Sequence, residues 1–376
     1  MIRATRARVD LDALAANFAA VRSSLQARAG SAAPRIIAVV KANAYGHGAV
    51  PVAAALQRAG AEMVACADIE EAIALREGGV TCRILVFGAL SLSDLSGVFA
   101  HALTPSVSSP TAARAVQDAA RARGVRIRCH LKIDTGMNRL GFRHDNLPRM
   151  LPGVAASPNL DIEAVYTHFA TADEPGGAWF AAQRARFAEA LGRLGPLGIR
   201  PAWVHAANSA AMLSSPETWY GAVRPGLVLY GVMPGGFDGQ LPLRPVLGLR
   251  SRIVAVKGVR PGEAVGYGAR FVANSPRTIA VVPAGYADGL DRRLAGRGSV
   301  LVRGRRVPIV GSVCMDMIMI DATGLAVAPG DEVVLIGRQG DDEITASEMA
   351  GWIETIPYEV LCRLGARIER IYNQAG

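Results

Sequence analysis

Lysine is scarce in this chain. Of the 41 lysines and arginines among its 376 residues, only Lys41, Lys132 and Lys257 are lysines. Arginine stays charged at any relevant pH, so it can replace lysine where positive charge suffices, but not where a neutral amine must react. The surviving lysines are therefore candidates for amine chemistry such as Schiff-base formation. Lys257 lies in a plain strand pattern, and we interpret it as structural.

Long apolar runs and paired cysteines are also missing. No stretch approaches the roughly 18 residues of a membrane helix, and the first residues lack a signal-peptide core, so we expect a cytoplasmic protein without membrane association. The five cysteines are odd in number, dispersed and mostly within apolar runs. This is typical of buried reduced thiols rather than of disulfides or a CxxC metal site, and we expect no metal.

Acidic residues are outnumbered, which gives a net charge of +9 and a pI near 9.7. Such a charge raises nucleic acid as a partner. The arginines, however, are spread along the chain, and their short clusters lack interleaved aromatic residues. The pattern predicts a solvated basic face rather than a nucleic-acid site, and it leaves attraction of small anionic ligands open.

The first 240 or so residues alternate short β-type runs with amphipathic helical stretches. One helix, entered at Asp10 or Asp12, places Leu14, Phe18, Val21 and Leu25 on one apolar stripe. Eight candidate strands are Ile36 to Val40, Met63 to Cys66, Ile84 to Phe87, Ala102 to Val107, Val125 to Ile133, Ile162 to His168, Ala202 to His205 and Ala222 to Val223. Eight such βα units predict an α/β fold, a (β/α)8 TIM-type barrel over residues 10–242.

From about residue 243, short strands dominate and predict a second, mostly β domain over 243–376, with residues 1–9 as a further candidate part. Its candidate strands are Arg252 to Val256, Thr278 to Val282, Val300 to Val302, Val307 to Val310, Met317 to Ile320 and Glu332 to Ile336. Gly304 marks a hairpin turn. The capping box that begins at Thr345 and ends at Glu348 is the one clear helix start.

The candidate barrel strands end in chemically useful side chains. Active sites of such barrels lie at the C-terminal ends of the strands. The residues found there are Lys41 after strand one, Lys132 and Asp134 at strand five, His168 at strand six, His205, Asn208 and Ser209 after strand seven, and Arg224 after strand eight. Their shared location predicts an active site at this mouth of the barrel.

Nine motifs, in order along the chain, resemble those of the alanine racemases, which are pyridoxal-phosphate enzymes with a barrel and a β domain. The motifs are VVKANAYGHG at 39–48, HLKIDTGMNRLG at 130–141, THFATAD at 167–173, HAANSA at 205–210, VRPGL at 223–227, VGYG at 265–268, GYADG at 285–289, CMD at 314–316 and IPYE at 356–359. Each motif is weak alone, but nine in order are specific.

The resemblance implies racemisation of L-alanine and D-alanine by two bases. Lys41 would bind pyridoxal 5'-phosphate covalently and act as one base, and Tyr267 from the partner subunit of a homodimer would be the other. His168 would hydrogen-bond this tyrosine and help it act as a base below its free pKa of about 10. Arg224 would donate to the ring nitrogen of the cofactor and so leave that nitrogen unprotonated.

The remaining site residues are also implied by the resemblance. Tyr45, Ser209, Gly226, Leu227 and Tyr358 would bind the cofactor phosphate, with Asn208 included among the cofactor-binding residues. Arg139 and the main-chain N–H of Met315 would bind the substrate carboxylate. Lys132 would be carbamylated, or else form an ion pair with Asp134 or Asp161. Supporting positions are Asp173, Arg292 and Asp316 at the access channel, where Ser312 replaces an arginine of some relatives, and Cys314.

Two other activities stay open. A non-catalytic pyridoxal-phosphate carrier would keep Lys41 but lack the β domain and Tyr267. A related amino-acid decarboxylase would place a carboxylate, not Arg224, against the ring nitrogen, and would use a cysteine such as Cys314. A serine-preferring racemase would carry a smaller residue than Tyr358, so alanine is the expected substrate. Its role would be to supply D-alanine for peptidoglycan or to degrade it.

Overall fold

The computed structural model describes residues 4–88, 90, 94–174 and 176–373. These residues form two compact units. The barrel unit comprises Ala15–Ala44 and Ala49–Leu243. The β unit comprises residues 4–14, the segment Tyr45–Gly48 and residues 244–373. In the described residues, no helix is both long and apolar enough to cross a membrane.

Eight parallel strands close the barrel unit into a ring, and the predicted (β/α)8 fold class is confirmed. After β1 (Arg6–Val9) of the β unit, the strands are β2 (Arg35–Val39), β3 (Met63–Cys66), β4 (Arg83–Val86), β5 (Thr104–Val107), β6 (Ile127–Asp134), the short β7 (Phe142–Arg143) beside β6, β8 (Leu160–Tyr166), β9 (Trp203–His205) and β10 (Ala222–Val223). The ring closes where β10 pairs with β2 through Ala222 and Arg35. An apolar cluster that includes Ile37, Met63 and Leu85 packs between these strands.

Helices separate the strands of the barrel unit. They are Leu11–Ala29, Ala49–Arg58, Ile69–Glu77, Ser96–Ala100, Pro110–Ala122, Leu147–Met150, Pro152–Ala155, Ala178–Leu194 and Ser209–Ser214, with 3₁₀ turns at Gly30–Ala32, Gly195–Leu197, Pro216–Thr218 and Leu227–Tyr230. In the first helix, the carboxylate of Asp10 accepts from the N–H of Ala13, so Asp10 rather than Asp12 caps it. The predicted stripe of Leu14, Phe18, Val21 and Leu25 is buried.

The β unit is built on one large, mostly antiparallel sheet. Its strands are β11 (Leu247–Arg252), β12 (Ala255–Val259), β15 (Arg277–Val282), β16 (Ser299–Val302), β17 (Arg305–Val310), β18 (Ile318–Asp321), β19 (Glu332–Gln339), β20 (Asp342–Ile344) and β21 (Glu369–Tyr372), together with β1, while β13 (Ala264–Val265) and β14 (Phe271–Val272) form a separate ladder. Its helices are Ala346–Trp352 and Pro357–Cys362, with 3₁₀ turns at Tyr267–Ala269, Tyr286–Asp288 and Arg292–Leu294.

Several sequence predictions for this unit need correction. The single predicted strand Arg252 to Val256 is wrong, because β11 ends at Arg252 and pairs with β19, whereas β12 begins at Ala255 and pairs with β15. The hairpin turn is confirmed, since Arg303 and Gly304 both have positive φ between paired Val302 and Arg305.

The predicted helix start at Thr345 is only half a capping box. The Thr345 hydroxyl accepts from the N–H of Glu348. The Glu348 carboxylate, however, pairs with Arg306 rather than with the helix N-terminus. The second helix, Pro357–Cys362, was missed although Pro357 occupies a favoured first helical position.

None of the five cysteines, all of which lie in the described residues, forms a disulfide, and they are not all buried. Cys66 and Cys129 are buried, Cys82 and Cys314 are half-buried, and Cys362 is exposed. The prediction of buried thiols is therefore wrong for three of them, because apolar neighbours in sequence do not fix which way a side chain points.

Candidate active site

Lys41 lies two residues after β2 ends at Val39, so the prediction that it ends the strand is wrong by two positions, and the backbone after it turns in an unusual way. Residues 42–45 all have positive φ, between 52° and 53°, so the chain makes a left-handed turn without glycine. Each such residue costs about 1–2 kcal/mol relative to the right-handed form. The Glu71 carboxylate accepts from the N–H of Ala42, and the Asn43 side chain accepts from Ala49, which holds the turn in place. Strain of this kind is concentrated at functional sites.

The segment Tyr45–Gly48, within the β unit, continues this turn. The Tyr45 ring is buried and lies 5.7 Å from that of Tyr358. Arg370 donates to the carbonyl of Gly46, and the Tyr372 hydroxyl donates to that of His47. The C-terminal strand β21 thereby fixes the chain shortly after Lys41.

Arg224 follows β10 and is buried, with 4% of its surface exposed. It donates to Nδ1 of His205 at 2.8 Å and to the carbonyls of Thr167 and Ala206, both at 2.8 Å. Burial lowers its pKa to about 10, which still leaves the guanidinium charged. Among the described residues, no carboxylate lies within ion-pair distance of it. Its Nε–H and one Nη1–H have no recorded acceptor there and can serve a ligand.

His168 lies two residues beyond the end of β8 at Tyr166, so the prediction that it ends the strand is wrong by two positions. Its Nδ1 is 3.3 Å from Nη2 of Arg224. Burial, and then the charge of Arg224, hold the pKa of His168 well below its ordinary value. Because Arg224 can only donate, Nδ1 accepts, and the single ring proton is on Nε2.

Lys132 is also buried, with 6% of its surface exposed. Its Nζ lies 5.6 Å from the centre of the Tyr166 ring. Burial, and then the charges of Arg139 and Arg224, lower its pKa to about 8. No ion pair joins it to Asp134 or Asp161 in the described chain; one Asp134 oxygen instead accepts from the N–H groups of Gly136 and Asn138.

A cradle of main-chain donors lies beyond β9 and β10. Asn208 caps the helix Ser209–Ser214 by accepting from the N–H of Ala211. The Ser209 hydroxyl is buried and accepts from the N–H of Gly226, just before the 3₁₀ turn that begins at Leu227. The first N–H groups of a helix have no partners within it, and paired helix starts after the last two barrel strands are typical of phosphate sites.

Tyr267 stands out in the β unit because 77% of its surface is exposed. Its carbonyl accepts from the Ser312 hydroxyl at 2.7 Å, and Gly266 and Gly268 on either side have positive φ. A rigid loop thus presents the phenol to the outside. Tyr286, Met315 and Met317 are exposed too and line one groove with this phenol, and a contiguous exposed apolar patch marks a surface that binds a partner or ligand.

The groove lined by Tyr267 in the β unit has a volume of about 770 Å³. The other predicted residues in its lining are Arg292, Ser312, Cys314, Met315 and Asp316. The carbonyls of Cys314 and Met315 accept from Tyr286 and Ala287, and Arg367 binds the carboxylate of Asp316. No acceptor for the Met315 N–H is recorded in the described chain. This loop is therefore fixed with one amide donor to spare.

The predicted site residues thus fall into two groups. Lys41, Lys132, Arg139, His168, Asn208, Ser209, Arg224, Gly226 and Leu227 lie at the C-terminal ends of the strands of the barrel unit, as does the exposed Asp173 on the loop after β8. Tyr45, Tyr267, Arg292, Cys314, Met315, Asp316 and Tyr358 lie in the β unit.

Comparison with known proteins covers both units. Residues 9–234 match the family alanine racemase, N-terminal domain, and residues 246–372 match alanine racemase, C-terminal domain. The chain belongs to the alanine racemase family. It is 42% identical to the alanine racemase of Symbiobacterium thermophilum over 374 residues, covering 99% of this chain and 98% of that protein. The corresponding value for Geobacter sulfurreducens is 41% over 376 residues, covering 98% and 97%.

Solved alanine racemase structures share the whole architecture. The enzyme from a D-cycloserine-producing Streptomyces lavendulae is similar with a TM-score of 0.94 at 38% identity, over 100% of this chain and 98% of that one. The Bacillus anthracis alanine racemase with bound L-Ala-P is similar with a TM-score of 0.92 at 38% identity, over 100% and 96%.

Sequence reasoning missed the side chains beneath the mouth of this alanine racemase barrel. Tyr166 is fully buried, stacks on His205 at 4.6 Å and donates to the Ser106 hydroxyl. His130 lies 3.0 Å from His205. Strand alternation was the available signal, because His130 and Lys132 are two apart on β6 and so point to the same side.

Proposed function

We propose that this chain interconverts L-alanine and D-alanine with pyridoxal 5'-phosphate as its cofactor. Family membership supports the reaction. The observation that carries the cofactor assignment is that a lysine, a buried arginine without a carboxylate partner and a cradle of amide donors share one end of the barrel unit. D-alanine would be supplied for peptidoglycan or degraded, and the mechanism below would serve either direction.

The residues of the barrel unit fit this cofactor. Lys41 would bind its aldehyde carbon through Nζ, Arg224 would donate to its ring nitrogen, and Ser209 with the amides near Gly226 and Leu227 would bind its phosphate. Asn208 would keep that helix start in place. Tyr45 and Tyr358 would add hydroxyl groups to the phosphate site. When bound, the cofactor supplies a conjugated ring that draws electrons from Cα of alanine.

Two bases of this chain would move the Cα proton. Lys41 would exchange it on one face, and Tyr267 of the partner subunit on the other, because inversion requires removal on one side and return on the opposite side. The proton on Nε2 of His168 makes it a donor to a phenolate oxygen, which would favour ionised Tyr267. Arg224 keeps its own proton even at a lowered pKa of about 10, so it would polarise the ring nitrogen without protonating it.

The carboxylate of alanine would be bound by two donors. Arg139 would supply its guanidinium and Met315 its unused N–H. Lys132 would orient Arg139 after carbamylation, in which neutral Nζ attacks carbon dioxide, forms an N–C bond and releases a proton. Lys132 forms no ion pair in the described chain, which favours carbamylation over the alternative role of an ion pair with Asp134 or Asp161.

The alternative activities fit less well. A decarboxylase would need a carboxylate against the ring nitrogen, whereas Arg224 is surrounded by imidazole and carbonyl acceptors. Cys314 remains in the groove, but its thiol donates to the carbonyl of Ser312. A non-catalytic carrier would have no use for the β unit or for Tyr267.

Further parts of the proposal concern assembly and placement. We infer a cytoplasmic homodimer with shared active sites, supported by the outward presentation of Tyr267. Asp173, Arg292 and Asp316 would line the access channel. We propose that the chain is divided by function into a cofactor-binding barrel over residues 10–242 and a β domain over residues 243–376, with residues 1–9 as a candidate part of the β domain.

The test is racemisation of L-alanine by the purified protein, followed by optical rotation. The Lys41→Ala variant should lose activity in both directions and also the visible absorption of the bound cofactor, because both depend on Nζ. Lys257→Ala is the matched control, since Lys257 lies on β12 of the β unit, and it should keep both. Near-normal turnover by Lys41→Ala would remove the central assignment.

A further inference from the structure

A line of charged and imidazole side chains runs through the interior of the barrel unit, from the start of β4 to the end of β10. It consists of Arg83, Glu163, His130, His205 and Arg224. Arg83 donates to both carboxylate oxygens of Glu163, one of them at 2.6 Å. Nε2 of His130 lies 3.7 Å from that carboxylate, and Nδ1 of His130 lies 3.0 Å from Nε2 of His205.

The direction of the hydrogen bonds that join His130, His205 and Arg224 is fixed from the Arg224 end. Arg224 can only donate, so Nδ1 of His205 accepts and the His205 proton is on Nε2. That N–H donates to Nδ1 of His130, which places the His130 proton on Nε2. The Glu163 carboxylate, 3.7 Å from Nε2, attracts this proton across a distance too long for a hydrogen bond, and Nε2 has no hydrogen-bond partner in the described chain. The reverse direction would set two N–H groups against each other at Arg224 and two acceptors against each other at Glu163.

Burial keeps both imidazoles neutral, as this arrangement requires. His130 and His205 are fully buried, and desolvation lowers the pKa of each. Burial alone would raise the pKa of Glu163, but the nearby His130 and the hydrogen-bonded Arg83 hold it well below its usual range. The carboxylate is therefore a permanent acceptor at the far end of the line.

We propose that Glu163, held by Arg83, is a positioning residue for Arg224. The Glu163 carboxylate attracts the Nε2–H of His130 and so holds that ring with Nδ1 toward His205. His205 in turn accepts from the guanidinium of Arg224 through its own Nδ1. This inference rests on the proposed function for its catalytic meaning. The tautomers themselves belong to the chain and can be measured without the cofactor.

The first test needs no variant. Long-range ¹H–¹⁵N NMR of the wild-type protein should show His130 and His205 as neutral rings with the proton on Nε2, without change between pH 6 and 9. A proton on Nδ1 of His205, or a charged ring there, would overturn the proposal whatever reaction the protein catalyses.

The second test removes the anchor without leaving a buried charge. The double variant Arg83→Met with Glu163→Leu replaces the ion pair by apolar side chains, an exchange that folded proteins often tolerate. The matched control is Arg250→Met with Glu332→Leu, which removes a comparable pair between β11 and β19 that contacts no histidine.

In the Arg83/Glu163 double variant, His130 should populate both tautomers, because no carboxylate attracts its Nε2–H, and the visible absorption of the holoenzyme should shift. The kcat for alanine should fall about 10- to 100-fold, the usual effect of removing an outer partner, with KM changed by less than about threefold. The control pair should change none of these. Unchanged tautomers and absorption in the Arg83/Glu163 variant would mean that the pair serves folding only. If the wild-type protein binds no pyridoxal phosphate, the proposed function is wrong. The NMR result would still decide whether the histidine tautomers are as proposed, because it does not depend on the cofactor.

Discussion

Lys132 and Arg224 are two buried cations at one end of the barrel unit, and burial affects them differently. The pKa of Arg224 falls to about 10, so it stays charged at neutral pH, whereas that of Lys132 falls to about 8. At pH 7 a pKa of 8 leaves about a tenth of the amine neutral, against roughly 1 in 3,000 for an ordinary lysine. Of the two side chains, only the lysine can react as a nucleophile.

We predict that Lys132 takes up carbon dioxide as a carbamate. With ¹³C-labelled carbon dioxide at fixed dissolved concentration, a carbamate signal should appear in ¹³C NMR and grow as the pH rises through about 8, because the neutral amine is the reactive form. Lys132→Arg should abolish the signal, and Lys257→Arg should keep it. Persistence of the signal in Lys132→Arg would assign the carbamate to another amine.

The two proposed bases should be separable by isotope exchange. Tyr267→Phe removes the hydroxyl on one face and leaves Lys41 on the other, so exchange at Cα in D₂O should continue for one enantiomer, expected to be D-alanine. Exchange of the other enantiomer should fall about 10²- to 10⁴-fold, the usual contribution of a general base. Proton NMR of each enantiomer measures both rates. Equal rates would show that a single base or a water molecule serves both faces.

At the scale of elements, the left-handed turn after β2 could not be predicted from the sequence. Residues 42–45 include no glycine, and alanine and tyrosine ordinarily avoid positive φ. The turn exists because more distant residues hold it, including Glu71 in the first turn of the helix Ile69–Glu77 that follows β3. Local propensity contains no such information, whereas the strand patterns of β2 and β3 are local and were recognised within one residue at each end.

The contrast between local sequence patterns and distant contacts also explains the other differences between the predicted and the observed structure. Periodicity indicated that residues near Ile253 are extended, but the change of strand partner there depends on β15 and β19. The positions of Lys41 and Arg224 just after their strands followed from the barrel rule. The line from Arg83 to Arg224 joins five elements that are distant in sequence. The sequence motifs include His130, His205 and Arg224, but they do not indicate that these side chains are in contact.

We predict that Gly46→Ala is far more damaging than its backbone angle alone implies. Gly46 has φ of +80°, and an added Cβ would lie 2.1 Å from the carbonyl oxygen of Leu361. Gly79 is the matched control, because its φ is +85° and a Cβ there meets no atom within 4 Å. Strain at positive φ should cost Gly79→Ala about 1 kcal/mol.

The variants are compared by their urea midpoints and bound cofactor. Gly46→Ala should unfold at clearly lower urea than Gly79→Ala and bind less pyridoxal phosphate, since the displaced backbone continues the left-handed turn that begins after Lys41. Equal midpoints and equal cofactor content would show that the close contact with Leu361 does not constrain this turn.

At the scale of the whole molecule, the outward position of Tyr267 suggests that one chain does not complete its own active site. A homodimer with two-fold symmetry exchanges the same element in both directions. Each site would then combine Lys41 of one subunit with Tyr267 of the other. The two subunits should depend on each other for activity.

This dependence predicts that two inactive variants restore each other. When Lys41→Ala and Tyr267→Phe chains are mixed and allowed to exchange subunits, half of the dimers are mixed at statistical equilibrium. Each mixed dimer has one site with both defects and one with neither, so activity should reach about a quarter of the wild-type value. Mixing Lys41→Ala with Lys41→Ala/Tyr267→Phe is the control and should restore nothing. No recovery after exchange has been verified by mass spectrometry would mean that Lys41 and Tyr267 of the same chain serve one site.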